Sequence, residues 1–394
     1  MKTLIKNTDI YLESSVLQSG YIITDGRKIE SVGKDLSLIN EGEYNVIDAK
    51  GAITAPGYMD SHCHGGNGFD CNDGTAEAVR GMSEFYLTRG VTSLYPSTSA
   101  DPLDKIEKAF DCIRQVMNED NGEGLEILGI HMEGPFINKK HKGCQAEKYI
   151  LEMTDENFGL VERNSDIIKR ITIAPEIGLN MSKIPRLAEM GIVISGGHSD
   201  ATYEEVREAH MMGMKMTTHL FSAMSTIHRE GPYRISGMLE ASLNIDTLYT
   251  EIIADRKHLP DELMQLAIKC KGKKMIMVCS DANRGAGRPE GGTIYTCGQE
   301  AIIVDGVAMV PDRSAFASSI TPVDQMVRNL INYTGISRLD AVNMASANIA
   351  RMMNVFDRKG SITAGKDADI IFLDNEFFVK AVMSRGKICY GSAS

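Results

Sequence analysis

The sequence predicts an α/β protein: a (β/α)8 TIM barrel of eight parallel strands, joined to a small β domain made from both ends of the chain. Three observations carry this. Short apolar runs of strand character alternate eight times with amphipathic helical segments. Titratable residues stand directly after most of those runs, as they do where the C-terminal ends of barrel strands meet at one rim. The two ends of the chain are β-rich and lack the alternation.

Residues 1–54 form the first part of the β domain. They contain "GYIITDGRKIESVG", two β-rich runs around Asp25-Gly26, a strong hairpin signal. Residues 55–356 carry the barrel, although its first strand candidate begins just before them. The eight candidates in order are "AITAPGYMD", "VTSLYP", "LEILGIH", "RITIAP", "GIVIS", "MKMTTHL", "LYTEIIA" and "KMIMVCS". Between the second and third, Leu103, Ile106, Phe110, Ile113 and Met117 recur at the three- and four-residue spacing of one buried helix face. After "GGHSD", Thr202 and Glu205 have capping-box spacing ahead of another helix. Residues 357–394 read again as short strands joined by turns and complete the β domain. A doubly wound open sheet has the same alternation. The residues that follow the strands favour the closed barrel.

Composition narrows the function. The 394 residues are 43% hydrophobic and 24% charged, an ordinary globular balance. The formal net charge of -11 argues against nucleic acid or an anionic membrane as the main partner, though a local positive pocket could still take a small anion. No apolar run approaches the ~20 residues of a spanning helix. The eight cysteines include no CxxC pair and the first residues hold no apolar signal core, so a reducing cytoplasm is expected.

Chemistry concentrates after the strands. His62 and His64 follow the first, two positions apart, so that on a strand both imidazoles face one side. Glu133 follows the third strand, His198 the fifth, His219 the sixth, His258 the seventh and Asp281 the eighth. A lone histidine at a strand end is more often a hydrogen-bonded structural residue, and His131, His141, His210 and His228 are read that way. Convergence at equivalent points of successive strands changes the balance for the others. Histidine nitrogens with carboxylates suit one or two divalent ions, zinc or iron first, and metal-assisted hydrolysis is the reaction class that follows. Glu133 has the reach to bridge a pair of ligand groups, and Asp281 could take a proton from water. Cys63, between the two histidines, would make the site oxidation-sensitive if exposed.

The stretches "APGYMDSHCHGG", "HMEGPF", "SGGHSDA", "THLFSAM", "IADRKH", "SDANRGAG" and "GSITAGKDADI", from residue 55 to 370, resemble the amidohydrolase superfamily, and within it the deacetylases of N-acetylated amino-sugar 6-phosphates. The resemblance implies a (β/α)8 barrel, a β-sandwich from both termini and a homodimer. It implies hydrolysis of the acetamide of N-acetylglucosamine 6-phosphate, with the galactosamine epimer, or a different N-acyl or cyclic amide, as the alternative. Glu133, His198 and His219 correspond to the main metal site and His62 and His64 to a second. Asp281 matches the catalytic carboxylate, and His258 the residue that contacts the substrate and polarises its acetyl carbonyl. Arg229 in "HREGP" matches a loop that reaches the sugar phosphate, in some members across the dimer. Gln145, Ser222 and Ala223 fall at substrate-contacting positions. Gln145 stands where the family usually has His, Ser222 where it usually has Asn, and "SAFASS" replaces a Gly-rich segment. All three departures lie on the substrate side.

Overall fold

The computed structural model describes residues 2–393. Among them, eight parallel strands form the barrel: β1 Tyr58–Cys63, β2 Val91–Thr98, β3 Ile130–Glu133, β4 Ile168–Ile173, β5 Val193–Gly196, β6 Met216–Thr217, β7 Tyr249–Ile252 and β8 Ile276–Val278. Each pairs with the next in sequence, from Tyr58 opposite Val91 to Glu251 opposite Met277. The ring closes just beyond β8, where Asp281 N–H donates to the His62 carbonyl at 2.8 Å and Ser280 N–H to Asp60 Oδ1 at 3.3 Å. That closure excludes the doubly wound sheet.

The expected strand over residues 52–60 is two strands in two sheets. Ile53–Pro56 pairs with the terminal β domain, and only β1 enters the barrel. The chain passes between them at Gly57, beyond the expected boundary at residue 54. A Cβ on Gly57 would lie 2.2 Å from Thr92 Oγ1, so the crossing admits no side chain. The third candidate also breaks, into Glu126–Ile127 and β3, at Gly129 with φ +145°.

In the β domain, Thr3–Tyr11 pairs along one edge with Val16–Asp25. Its other edge is shared: Thr3 to Lys6 faces Asn45–Asp48, and Asp9 to Ile10 faces Ile53–Pro56. The sheet branches there. Ile53–Pro56 continues it antiparallel into Ile370–Leu373, Val379–Ser384 and Lys387–Gly391, joining the two ends of the chain in one eight-stranded sheet. Ile5, Ile10, Ile22, Ile29, Ile370 and Phe372 make its core. The hairpin expected at Asp25-Gly26 forms, with Asp25 paired to Lys28 and Gly26 at φ +54° in the turn.

The helix Leu103–Asn118 buries Ile106, Phe110 and Ile113 as its spacing requires. Thr202 caps Tyr203–Met212, and Glu205 Oε2 accepts from Thr202 N–H at 2.7 Å, completing the capping box. Two features carry no clear sequence signal: an exposed hairpin, His228–Glu230 with Tyr233–Ile235, and a three-stranded sheet after β8, Thr293–Thr296, Gln299–Val304 and Val307–Met309. Among the described residues no helix is long and apolar enough to cross a membrane.

Candidate active site

Each strand end delivers its residue to one point. Glu133, the last residue of β3, is buried at the centre with four imidazoles around it. Its Oε1 lies 3.2 Å from His62 Nε2, 3.4 Å from His198 Nε2 and 3.3 Å from His219 Nε2, and its Oε2 lies 3.2 Å from His64 Nε2. Asp281 Oδ1 closes the group at 3.3 Å from His64 and 3.5 Å from His62. His62, His64 and Glu133 form one potential ligand set, and Glu133, His198 and His219 another.

The hydrogen bonds on the far side of each ring fix what the near side offers. His198 Nδ1 is 2.7 Å from the His141 carbonyl, His219 Nδ1 3.1 Å from the Ser222 carbonyl and His64 Nδ1 3.2 Å from the Ser97 carbonyl. A carbonyl only accepts, so each Nδ1 carries a proton and each Nε2 is left to face the carboxylate. His198 Nε2 and His219 Nε2 then face each other at 3.1 Å, and His62 Nε2 and His64 Nε2 at 3.3 Å. Among the described residues Glu133 Oε1 is buried without any hydrogen-bond donor. Nε2 lone pairs converging on a carboxylate repel unless positive charge, a ring proton or a metal ion, lies among them. Ligand atoms about 2.0–2.1 Å from a shared ion in tetrahedral geometry sit about 3.3 Å apart, which is the spacing here. The residues fit a divalent ion.

Backbone strain coincides with this rim. His198, His219, Ala223, Asp281 and Ser318 hold φ of +48°, +27°, +47°, +42° and +74°, a region that side chains other than glycine occupy at a cost of order 1–3 kcal/mol each. Strand-to-loop reversals at these points turn the side chains into the mouth.

A cavity of about 260 Å3 opens above the cluster, lined by His64, Glu133, His198, His219, His258 and Asp281 and walled by Gln145, Ser222 and Ala223. His258 Nδ1 is tied to Asp255 Oδ2 at 2.7 Å, and Nε2 has no hydrogen-bond partner among the described residues. Burial disfavours its charged form, but the Asp255 hydrogen bond and charge outweigh burial and raise its pKa. Burial likewise pushes the Asp281 carboxyl up, and the His62 and His64 charges beside it bring it down to about 2. Asp281 is a carboxylate, steadied by Ser318 Oγ–H at 3.0 Å from Oδ1.

Three residues have surroundings that the sequence did not specify. Gln145 lines the cavity, but its amide is committed at both ends: Oε1 accepts from Ala100 N–H at 2.8 Å and Nε2 donates to Glu133 Oε2 at 3.0 Å. It holds the central carboxylate from the cavity wall. Arg229 is not brought to this cavity; it lies on the exposed hairpin. Cys63 is fully buried, and burial pushes its thiol well above the ordinary range. Of the histidines read as structural, His131 lies between Ser97 Oγ and Thr172 Oγ1, His210 bonds the Met214 carbonyl, His141 pairs with Asp200, and His228 is exposed.

The sequence reading missed the support beneath the cluster. Arg170 on β4 and Glu251 on β7 form a fully buried bidentate pair, both contacts 2.7 Å, and Glu251 Oε1 also holds His62 Nδ1 at 2.8 Å. Glu251 with His62 and Cys279 has ligand spacing too, but Arg170 and His62 already occupy its oxygens. The available signal was a charged residue inside an apolar strand, "LYTEIIA" and "RITIAP", since such a charge must be paired. Asp255, three residues before His258, was missed for the same reason.

The model of the amidohydrolase family matches residues 53–389. The chain is 31% identical over 391 residues to the N-acetylglucosamine-6-phosphate deacetylase of Bacillus subtilis (strain 168), covering 98% of this chain and 97% of that one. It is 30% identical over 346 residues to the N-acetylgalactosamine-6-phosphate deacetylase of Escherichia coli O157:H7, covering 87% and 89%. Among solved structures, the N-acetylglucosamine-6-phosphate deacetylase of Pasteurella multocida superposes with a TM-score of 0.91 at 27% identity, over 98% of this chain and 99% of that one.

Proposed function

Because the chain belongs to the amidohydrolase family, we propose that it hydrolyses the acetamide of N-acetylglucosamine 6-phosphate to glucosamine 6-phosphate and acetate. The observation that carries this is the convergence of four imidazoles and Asp281 on Glu133 beneath an open cavity of about 260 Å3. Glu133, His198 and His219 would hold the main divalent ion and His62 and His64 a second, zinc or iron by the chemistry of the donors. Such an ion supplies a Lewis acid for the amide carbonyl and makes water acidic enough to attack near neutral pH.

The chain's own residues do the rest. Asp281, a carboxylate beside the imidazoles, accepts the proton of the attacking water and returns it to the amine, which leaves only when protonated. His258, oriented by Asp255 and holding a proton on Nε2 when charged, donates a hydrogen bond to the carbonyl oxygen as negative charge develops there. Gln145 fixes Glu133 from behind. Ser222 and Ala223 form the wall nearest the sugar.

Arg229 serves the phosphate from a partner copy. It is exposed on a projecting hairpin with Tyr233 72% exposed, which suits an arrangement in which two chains complete each other's sites. Homodimer assembly and a cytoplasmic setting belong to this reading, the second supported by eight free cysteines.

Acetate release from the N-acetylated forms of glucosamine, galactosamine and mannosamine, each with and without a 6-phosphate, tests the reading. We expect the glucosamine 6-phosphate derivative to have the highest kcat/KM, and Arg229→Lys to lower that value for phosphorylated sugars only. Equal turnover with and without phosphate would refute the phosphate assignment. Preference for the galactosamine epimer, the substrate named for the Escherichia coli relative, would move the substrate but keep the chemistry.

A further inference from the structure

Two thiols face each other across the wall of the cavity. Cys144 Sγ lies 3.0 Å from Cys297 Sγ, although 153 residues separate them in sequence. Cys144 belongs to the loop after β3 that also carries Gln145, and Cys297 forms the tip of the hairpin Thr293–Thr296 with Gln299–Val304. Both are half-buried and both line the cavity above the imidazole cluster.

The hairpin is built to put a cysteine there. Thr296 pairs with Gln299, leaving a two-residue turn of Cys297 (φ +49°) and Gly298 (φ +78°). Turns with positive φ at both central residues favour Asn, Asp or Gly at the first, because a side-chain-bearing residue is strained there. Cysteine has no conformational advantage in this position. The tip is also held in register with the opposite loop, since Gln299 Nε2 donates to the Cys144 carbonyl at 3.1 Å. Cys297 Sγ accepts from Cys144 Sγ–H, and that hydrogen bond lowers its pKa, burial opposing.

We propose that Cys144 and Cys297 are a reversible redox site, forming a disulfide across the substrate cavity when a peroxide oxidises them. The Cys297 thiolate attacks one peroxide oxygen, the O–O bond breaks, and with a proton the first water leaves a sulfenic acid on Cys297. The Cys144 sulfur attacks that sulfur, the S–O bond breaks and a second water departs as the S–S bond forms. Two thiols and hydrogen peroxide thus give a disulfide and two waters, sulfur being oxidised and peroxide reduced. A dithiol reverses the change by exchange. Every other cysteine lacks such a partner among the described residues, and Cys63, Cys71 and Cys279 are buried.

The consequence for turnover rests on the deacetylase reading. The cavity, at about 260 Å3, lies below the about 300–1,000 Å3 usual for small-molecule sites. A bond between its two walls prevents their separation on substrate entry and pulls the Gln145 loop, so oxidation closes the site.

The test treats metal-loaded wild-type protein with graded hydrogen peroxide, alkylates remaining thiols and maps the peptides by mass spectrometry. We expect a Cys144–Cys297 cross-linked peptide as the main product, with the other six cysteines unlinked. kcat/KM on N-acetylglucosamine 6-phosphate should fall by about 10-fold or more, the scale of a displaced active-site wall, and dithiothreitol should restore it. Cys144→Ser and Cys297→Ser should lack the cross-link and lose far less of their own untreated activity at the same peroxide. Absence of the cross-link, linkage to other cysteines instead, or equal inactivation of wild type and both variants would overturn the proposal. A wild type that forms the cross-link yet hydrolyses no acetylated sugar even before oxidation would support the redox site and refute the substrate reading.

Discussion

Glu251 Oε1 lies 2.8 Å from Nδ1 of His62, with both side chains completely buried beneath the cluster of imidazoles. One carboxylate therefore orients a ligand histidine and neutralises Arg170 at the same time. Burial pushes the Glu251 carboxyl up, but the Arg170 and His62 charges hold it far below the ordinary range. Glu251→Gln keeps the shape and removes the charge. Leaving Arg170 buried and unpaired should cost about 3–5 kcal/mol of stability. Loss of the carboxylate behind His62 should weaken metal binding at the HxH pair by about 10–100-fold. Denaturant melts of metal-free protein and a competition titration measure the two effects, and a variant unchanged in both would remove this role.

The ligand sets sharing Glu133 predict the metal content. His62→Ala combined with His64→Ala should lower the divalent metal per chain without emptying the site, because Glu133, His198 and His219 remain together. Elemental analysis after gel filtration reads this directly. The same content as wild type would eliminate the second ion, and complete loss would make the HxH pair the primary site.

Asp281→Asn separates chemistry from architecture. Asn keeps an oxygen for the Ser318 hydroxyl and leaves the backbone bond from Asp281 N–H to His62 O intact, but it cannot carry a proton. We expect near-wild-type folding and substrate binding with kcat lower by about 100-fold or more. If Asp281 served only as a structural residue, the variant would be destabilised by about 1 kcal/mol and turn over normally. kcat and the melting temperature of this one variant decide between them.

Acid should loosen the junction between barrel and β domain. Lys359 is buried between Glu126 at 2.6 Å, Asp367 at 3.0 Å and Asp369 at 2.6 Å, and Arg358 bonds Glu126 and Asp367 beside it. Burial raises the Glu126 carboxyl, but Arg358 and Lys359 bring it down to about 2; Asp367 is held at about 2 against burial by Lys28, Lys359 and Arg358. A carboxylate with a depressed folded-state pKa stabilises fully above its unfolded value, about 4 for these groups. That stability is lost as pH falls from there towards 2. Melting temperatures from pH 6 to 2 should drop through this window. In Lys359→Met the drop should be smaller and start from a lower plateau; an identical pH profile would place the acid sensitivity elsewhere.

The alternation of strand and helix was legible because each barrel strand must bury apolar side chains against both the barrel interior and a helix, and that requirement writes itself into runs such as "KMIMVCS". The positions of His62, His64, Glu133, His198, His219, His258 and Asp281 were legible for a related reason. A residue that follows a barrel strand lies at the same rim whatever the length of the intervening loops. Strand limits at Gly57 and Gly129 were not, since the first depends on the nearness of Thr92, a contact between separate strands.

Tertiary structure alone decided the relationships made across the ring. Only the fold places Ala100 N–H on one end of the Gln145 amide and Glu133 on the other. Arg170 and Glu251 stand 81 residues apart, and the cysteines of the cavity wall 153 apart, with no local pattern to join them. Local sequence records what each segment buries and where it ends. Which side chains meet inside the barrel depends on closure of the ring, a property of the whole chain, and that closure turns separate strand-end residues into one site.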